Sequence, residues 1–262
     1  MRRLLIAAAL FLLLSSVSTA QLPFQTQVFV IPVVVSSPGQ NGSFFRTALQ
    51  AYNGSASPIM GTFVFRPQGA PSSLPNPTLV YTINSGETVF YADLLAAMGQ
   101  SGIGSVDVTA ATGAAAPILA VRVFNDGGDA GTNGFTENAK KVTDLLSTGS
   151  TAVLVAPSDT QAFRFNIGVR TFTVGASIDI AVRDRSGAVR KTFSATYGPS
   201  FFEQIDARSF LGGLSLQAND TITISVRAGR VILYGTSADN KTNDAAFQDP
   251  QPILMTQAGT IF

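Results

Sequence analysis

Four carboxylates have the types and spacing for hydrolytic chemistry, because glycoside hydrolysis needs two carboxyl groups in complementary roles. The sequence offers Glu87 with Asp93, and Glu203 with Asp206. A simpler interpretation exists, since Asp93 and Asp206 each precede a short helical run and an aspartate there can cap the helix. We favour capping, and we assign no catalytic residue.

Histidine and cysteine are both absent, and this removes most other catalytic chemistry. Without them there is no Ser-His-Asp or Cys-His triad, no imidazole or thiolate zinc site and no iron–sulfur cluster. Serine–lysine catalysis would need a lysine, and all of them fall in a predicted linker, strand edge or loop: Lys140, Lys141, Lys191 and Lys241. We predict that the chain is not an enzyme and uses no cofactor.

One loop, Asn125–Asp129, has the oxygen-bearing side chains and the glycines that calcium sites use. It lacks the D-x-D-x-D-G spacing and a distal bidentate glutamate. Asx and glycine residues also build ordinary hairpin loops. We therefore assign no metal ligands, and calcium at this loop stays an alternative that a calcium-dependent rise in melting temperature would support.

Two arginines, Arg46 and Arg164, follow aromatic residues at matched places. They could line a ligand groove, but such an arginine more often lies on the solvent face and covers apolar surface with its stem. A polysaccharide-binding surface would need exposed aromatic rings. Such surfaces generally use tryptophan or tyrosine, and the chain has no tryptophan, so the candidates are four of its five tyrosines: Tyr52, Tyr81, Tyr91 and Tyr234.

These residues belong to a β-rich pattern that occurs twice, over about residues 28–135 and 152–247. An alternating strand that begins at Phe45 is matched by one that begins at Phe163. In each copy an aspartate precedes a short helical run and a glycine closes it at the same spacing, Asp93 to Gly99 and Asp206 to Gly212. This shared order of elements indicates a duplicated domain.

Turn residues divide each copy into short strands. Val174–Gly175 and Ala228–Gly229 are predicted to be turns. An Asn/Asp-rich loop closes each copy and ends at a phenylalanine, Phe135 or Phe247. The last two strands of each copy are predicted to form a hairpin: 106–109 with 118–124, and 222–226 with 231–235.

Many short strands with regular turn signals predict an all-β fold of two tandem immunoglobulin-like β-sandwich domains, each with one short helical turn. A barrel is the alternative. The predicted boundaries are a signal peptide at 1–20, domain 1 at 21–136, a linker at 137–150, domain 2 at 151–248 and a C-terminal tail at 249–262.

The first residues have the form of a secretory signal peptide, with Arg2 and Arg3 before an apolar run and a small-x-small end at Ala20. The apolar run is shorter than the roughly 20 residues that span a bilayer. Removing two arginines from 17 basic residues leaves 15 against 16 acidic ones, a net charge of −1. We predict a secreted, periplasmic or cell-surface protein with no membrane span in its mature part and no nucleic-acid partner.

The strands Phe45–Asn53 and Phe163–Val169, with the loop Asp239–Asp244, carry a resemblance to a known group. The chain resembles exported bacterial proteins with tandem β-sandwich repeats, F-R-T-N-L-x-L-x-N-type strands and D-N-x-T-x-D-type closing loops. The first copy departs at its loop, where glycines are inserted. The resemblance implies architecture and export, and it implies no active site.

The most economical function is therefore a non-catalytic binding, adhesion or structural module of the cell envelope, although that step is an analogy from the fold. Its partner would be a protein or a glycan. A polysaccharide-binding module is the first alternative, and a hydrolase that uses carboxylates is the second.

Overall fold

The computed structural model describes residues 25–69 and 75–253. This part of the chain is almost entirely β-strand and forms two antiparallel sheets. The predicted all-β fold of two tandem sandwiches, each with one short α-helix, is confirmed. The predicted signal peptide at 1–20 and residues 254–262 of the predicted tail lie outside the described residues.

The first sheet, which we call the first half, contains nine strands. Short 3-10 helices occur at Gln40–Gly42 and Gly128–Ala130, and the α-helix α1 spans Leu94–Ala97. The strands are β1 (Gln25–Pro38), β2 (Phe44–Tyr52), β3 (Ile59–Pro67), β4 (Thr78–Ile83), β5 (Thr88–Tyr91), β6 (Gly102–Ala111), β7 (Ile118–Asp126), β8 (Thr132–Glu137) and β9 (Lys140–Lys141).

The second sheet, the second half, contains eight strands. Its α-helix, α2, spans Ala207–Phe210. The strands are β10 (Leu146–Ser147), β11 (Thr151–Val155), β12 (Phe163–Arg183), β13 (Val189–Tyr197), β14 (Phe202–Asp206), β15 (Thr221–Asp239), β16 (Ala245–Gln248) and β17 (Gln251–Pro252).

The strands of the first half lie in two layers that face each other. Layer A has the order β4-β3-β6-β1, and layer B has the order β5-β2-β7-β8. The end of β1 also pairs with β2 and so connects the layers. Leu49 and Val121 of layer B share one buried cluster with Phe63 and Val108 of layer A. The core of this half therefore lies between its layers.

The second half repeats this arrangement with two long strands that each serve both layers. The start of β12 pairs with β14 and with the end of β15, whereas the end of β12 pairs with β13 and with the start of β15. Layer B is thus β14-β12-β15-β16, and layer A is β13-β12-β15-β11-β17. Ile167 and Leu233 of layer B pack with Ile180 and Ile224 of layer A in a second core.

The predicted hairpins are wrong. β6 pairs with β1 and β3 whereas β7 pairs with β2 and β8, and residues 222–226 and 231–235 belong to the single strand β15. The supposed turns lie where β12 and β15 cross between layers. Gly175 and Gly229 have φ of 71° and 81° there, and a Cβ on Gly229 would lie 2.0 Å from the Gly175 carbonyl oxygen. Glycine permits a bulge as readily as a turn, and local sequence does not separate the two.

Residues of the predicted linker and tail extend the sheets. Lys140–Lys141 pair with β1, and Leu146–Ser147 pair with β15. Gln251–Pro252 pair with β11. The segment that joins the halves is therefore attached to both of them.

Candidate functional site

The two halves pack against each other through a third apolar cluster. It combines side chains of β1 and β7 with side chains from the outer face of layer B of the second half. Ile232 and Tyr234 point into it, while their neighbours Val231 and Leu233 point into the core of the second half. Its buried members are Val30, Val33, Val35, Val123, Phe202, Ile232 and Tyr234. Both faces of this layer are consequently covered.

A buried ion pair crosses the same interface. Arg170 of β12 donates from Nη2 to both carboxylate oxygens of Asp107 on β6, at 2.9 and 3.1 Å. Both side chains are almost fully buried, at 2% and 4% exposure. Burial lowers the pKa of Arg170, and the Asp107 charge opposes that effect. Arg66 and Gln27 also donate to Asp107, each at 2.8 Å.

The two phenylalanines that end the copies meet at this interface. The rings of Phe135 and Phe247 lie 5.5 Å apart, and Tyr234 stacks on Phe247 at 5.2 Å. The Tyr234 hydroxyl donates to Gln204 at 2.9 Å. The sequence predicts that the two phenylalanines occupy equivalent positions at the ends of the two copies, and in the structure their rings are in contact.

Two asparagine side chains of the first half extend the contact between the halves. Asn41 donates from Nδ2 to the carbonyl of Asn240 at 3.0 Å, and Asn133 donates to the carbonyl of Thr242 at 2.9 Å. The closing loop of the second half therefore contacts β8 and the 3-10 helix Gln40–Gly42 of the first half. Polar and apolar contacts together make the two halves one body.

A cleft of about 270 Å³ remains open between the halves. Its floor is the outer face of layer B of the second half, where Arg164, Asn166 and Thr236 contribute polar groups. Its roof is formed by the first half, where Ser37 and Gln40 are polar and the other large side chains are apolar: Val33, Val35, Phe45, Ile103, Val123 and Phe135. A concave site with apolar walls and a few convergent polar groups is typical of ligand pockets.

The matched arginines both serve the Asn/Asp-rich closing loops. Arg46 pairs with Asp126 at 3.3 Å, and its guanidinium lies 5.3 Å from the centre of the Phe44 ring. Arg164 donates to the carbonyl of Asp239 and to Asn243, at 3.1 and 2.8 Å. Of the two, only Arg164 lines the cleft. The prediction that these arginines line a ligand groove therefore fits Arg164 and not Arg46.

The candidate catalytic carboxylates have local structural partners. Asp93 accepts a hydrogen bond from the backbone N–H of Ala96, and Asp206 accepts one from Ser209, so both are helix N-caps. Glu87 accepts from the backbone N–H of Asn84 in a turn, and Glu203 lies on β14 opposite Val169. The capping interpretation of Asp93 and Asp206 is confirmed.

The four lysines considered for serine–lysine catalysis lie on different elements. Lys191 donates to the carbonyls of Leu211 and Gly212 just beyond α2, a favourable place for a cation. Lys140 pairs with Asp249 at 2.7 Å. Lys141 lies on β9 with Lys140, and Lys241 lies in the closing loop of the second half.

Replacing the second cap tests its role directly. We expect Asp206→Ala to lower the free energy of unfolding by about 1 kcal/mol, because the Ser209 N–H loses its acceptor. Asp206→Asn is the matched control and should lose much less, since asparagine also caps helices well. Urea unfolding followed by circular dichroism measures both. Equal losses in the two variants would contradict a capping role.

The possible calcium loop is occupied by internal contacts. The Asn125 amide oxygen accepts from the backbone N–H of Phe44, and Asp126 accepts from Gly128 and pairs with Arg46. Asp129 lies in a 3-10 turn. Among the described residues no group of three or more acidic side chains is arranged to hold a metal ion.

The tyrosines named as possible sugar platforms differ in exposure. Tyr81 and Tyr234 are buried, and Tyr91 is half-buried, so these three do not form an exposed platform. Tyr52 is 39% exposed and lies opposite Ile118 on the outer face of layer B of the first half. Phe90, 61% exposed, lies one strand away on the same face.

Glu137 is fully buried between the halves. One carboxylate oxygen accepts from the backbone N–H of Val33 at 3.3 Å, and the other has no partner among the described residues. Burial raises the pKa of Glu137 well above its ordinary value, and the Asp249 charge adds to this rise. The Val33 hydrogen bond and the Lys140 charge act in the opposite direction.

This raised pKa predicts a pH-dependent stability. The folded state keeps the Glu137 proton at pH values where the unfolded chain has released it, so stability is full below the ordinary value of 4.5 and falls as pH rises above it. We expect Glu137→Gln, a neutral mimic, to lose this fall. Unfolding of both proteins at pH 5 and pH 8 measures it. A stability difference between the two proteins that is independent of pH would contradict a buried, protonated Glu137.

Compared with protein-family models, curated proteins and solved structures, the chain gives no match. In the described residues no helix is long and apolar enough to cross a membrane. The floor residues Asn166 and Thr236 were missed in the sequence, because polar residues at alternate strand positions are expected on any solvent face.

Proposed function

We propose that this chain is a non-catalytic exported binding protein whose two β-sandwiches act as one body and bind a ligand between them. The cleft is the observation that carries the proposal, because both halves contribute its walls. Export and a place at the cell envelope rest on the N-terminal sequence and on the resemblance to exported bacterial repeat proteins.

The buried interface supports a binding role. The Asp107–Arg170 pair and the third apolar cluster hold the walls of the cleft at a fixed separation. A preorganised site avoids part of the ordering cost that binding otherwise carries. The capped and hydrogen-bonded carboxylates favour binding over hydrolysis, so a hydrolase that uses Asp93 or Asp206 ranks last.

A filled cleft tests the proposal. Ala245 lines the cleft, whereas its neighbour Ala246 is exposed on the adjacent position of β16. We expect Ala245→Leu to obstruct the cleft and Ala246→Leu to leave it open. Immobilised wild type and both variants are incubated with small molecules and glycans from the native cell envelope, and the retained compounds are identified by mass spectrometry.

The expected result is a compound that wild type and Ala246→Leu retain unchanged and Ala245→Leu does not. Equal retention by all three proteins, or no retention, would contradict binding in the cleft. A compound recovered in a chemically altered form would contradict the non-catalytic part of the proposal.

A polysaccharide-binding module is the second candidate, and the exposed rings of Tyr52 and Phe90 are the observation that favours it. If these rings stack on sugars, Tyr52→Ala should abolish retention on a polysaccharide column. Val174→Ala is the control, because Val174 is 83% exposed at a site distant in sequence from this face. Failure of the wild-type protein on all polysaccharides tested would remove this candidate.

A further inference from the structure

The cleft contains an arginine without a carboxylate partner. Its equivalent in the first half, Arg46, forms an ion pair with Asp126. The hydrogen bonds of Arg164 within the described residues go to neutral oxygens: the Asp239 carbonyl at 3.1 Å and the side-chain oxygens of Asn240 and Asn243 at 3.4 and 2.8 Å. These three bonds use at most three of its five N–H donors.

The nearby carboxylate of Asp239 is held by the loop itself. Its Oδ1 accepts from the backbone N–H groups of Lys241 and Thr242, at 2.7 and 2.8 Å. Burial lowers the pKa of Arg164, and the Asp239 charge only partly opposes this. Arg164 therefore carries a partly desolvated positive charge at the edge of the cleft without a direct counter-ion among the described side chains.

A second polar residue, Thr236, lines the cleft with a buried hydroxyl that has no partner among the described residues. The Thr236 side chain is 6% exposed and lines the cleft, and its hydroxyl makes no hydrogen bond with any described residue. Thr236 lies directly opposite Asn166, and Arg164 is two residues before Asn166 on the same face of β12. A buried hydroxyl without a partner costs free energy, which a bound acceptor would recover.

The roof of the cleft is mainly apolar, although Ser37 and Gln40 also line it. Val33, Val35 and Ile103 line it, and none of them can pair with a charge. The volume of about 270 Å³ is near the lower end of ligand pockets, which span roughly 300–1,000 Å³. The site thus has a cationic, hydrogen-bonding floor and a small, mainly hydrophobic roof.

We propose that the cleft binds a small carboxylic acid with an apolar tail. The carboxylate accepts hydrogen bonds from Arg164 and from the Thr236 hydroxyl, and the tail packs under the valines of β1. This inference rests on the proposed function and specifies the ligand class of the same site.

Three probes of equal chain length test the charge requirement: hexanoate, 1-hexanol and hexylamine, each titrated into the full mature chain by calorimetry and followed by NMR. We expect hexanoate to bind at least tenfold more tightly than hexanol, and hexylamine to be excluded. Equal binding of hexanoate and hexanol would overturn recognition of the carboxylate. Failure of all three would overturn the proposed ligand class.

Thr236→Val tests the hydroxyl with little risk to the fold, because it removes a buried group that has no partner. It should weaken hexanoate binding at least fivefold and leave hexanol binding unchanged. Thr223→Val, on the layer A part of the same strand, is the matched control and should change neither. Unchanged hexanoate affinity in Thr236→Val would overturn the assignment of this hydroxyl.

Arg164 has its own matched control in Arg46. Arg164→Gln should abolish the preference for hexanoate over hexanol, and Arg46→Gln should keep it. If the probes fail while the envelope experiment still shows a compound lost in Ala245→Leu, the ligand class is wrong and the binding function stands. If both fail, both proposals fall.

Discussion

Replacing Asp107 with alanine is expected to lower the free energy of unfolding by about 3–5 kcal/mol, because Arg170 would keep its charge in the interior without a partner. Arg170 is 2% exposed, so water cannot replace the lost carboxylate without opening the interface. Arg66, which also pairs with Asp107, would lose its acceptor too. Guanidinium unfolding followed by tyrosine fluorescence measures the change.

The exposed ion pair between Arg227 and Asp179 gives the matched control. These side chains are 70% and 34% exposed, and exposed pairs contribute little to stability because water screens their charges. Asp179→Ala should therefore change stability far less than Asp107→Ala. Similar losses in the two variants would show that Asp107 and Arg170 are solvated, and that the halves are not joined through a buried charge pair.

A further variant separates the value of the pair from the cost of breaking it. Replacing both partners with apolar residues leaves no fully buried charge without a partner, because Arg66, which also loses Asp107, is 24% exposed. Such replacements are often neutral or stabilising. We expect Asp107→Leu combined with Arg170→Met to recover most of the stability that Asp107→Ala loses. If the double variant is as unstable as Asp107→Ala, the loss of stability comes from altered packing and not from an unpaired charge.

The duplicated architecture could be predicted from the sequence because its signals are local. Alternation identified the strands that begin at Phe45 and Phe163, and the shared aspartate-to-glycine spacing identified both helices. Each of these patterns depends only on residues that are close to one another in the sequence. Interactions between residues that are close in sequence can be predicted without knowing the fold.

The crossing of β12 and β15 between layers could not be predicted. The glycines at the crossing, Gly175 and Gly229, are compatible with either a turn or a bulge. Ala228–Gly229 has the composition of a hairpin turn. In the structure β15 continues through it, since β12 pairs with both of its ends. Long-range pairing decided between turn and bulge.

The interface and its cleft depend on how two folded halves dock, and this is the hardest step to read from residues. Asp107 between Val106 and Val108, and Arg170 after Val169, have the alternation of a solvent-facing position. Opposite charges at the outward positions of two strands were a usable signal, but only the docked structure shows that they meet. The sequence identifies Arg164 as a possible groove residue by its match with Arg46. It does not show that Arg164 lacks a carboxylate partner among the described residues.

The second large effect is expected from Gly168→Ala, which adds one methyl group beneath Tyr234. A Cβ on Gly168 would lie 2.0 Å from the Tyr234 ring, although contacts between carbon atoms are favourable only at about 3.5–4.0 Å. Tyr234 is fully buried, stacks on Phe247 and donates to Gln204. The ring cannot move without breaking those contacts, so we expect a loss of about 1–3 kcal/mol or more.

Gly198→Ala is the matched control, because a Cβ at Gly198 would meet no atom within 4 Å. It should leave the free energy of unfolding nearly unchanged, and both variants are compared by urea unfolding. Gly168→Ala combined with Tyr234→Ala should lose less than the sum of the two single changes, since the clash exists only while the ring is present. Strict additivity in this cycle would mean that Tyr234 does not lie over Gly168.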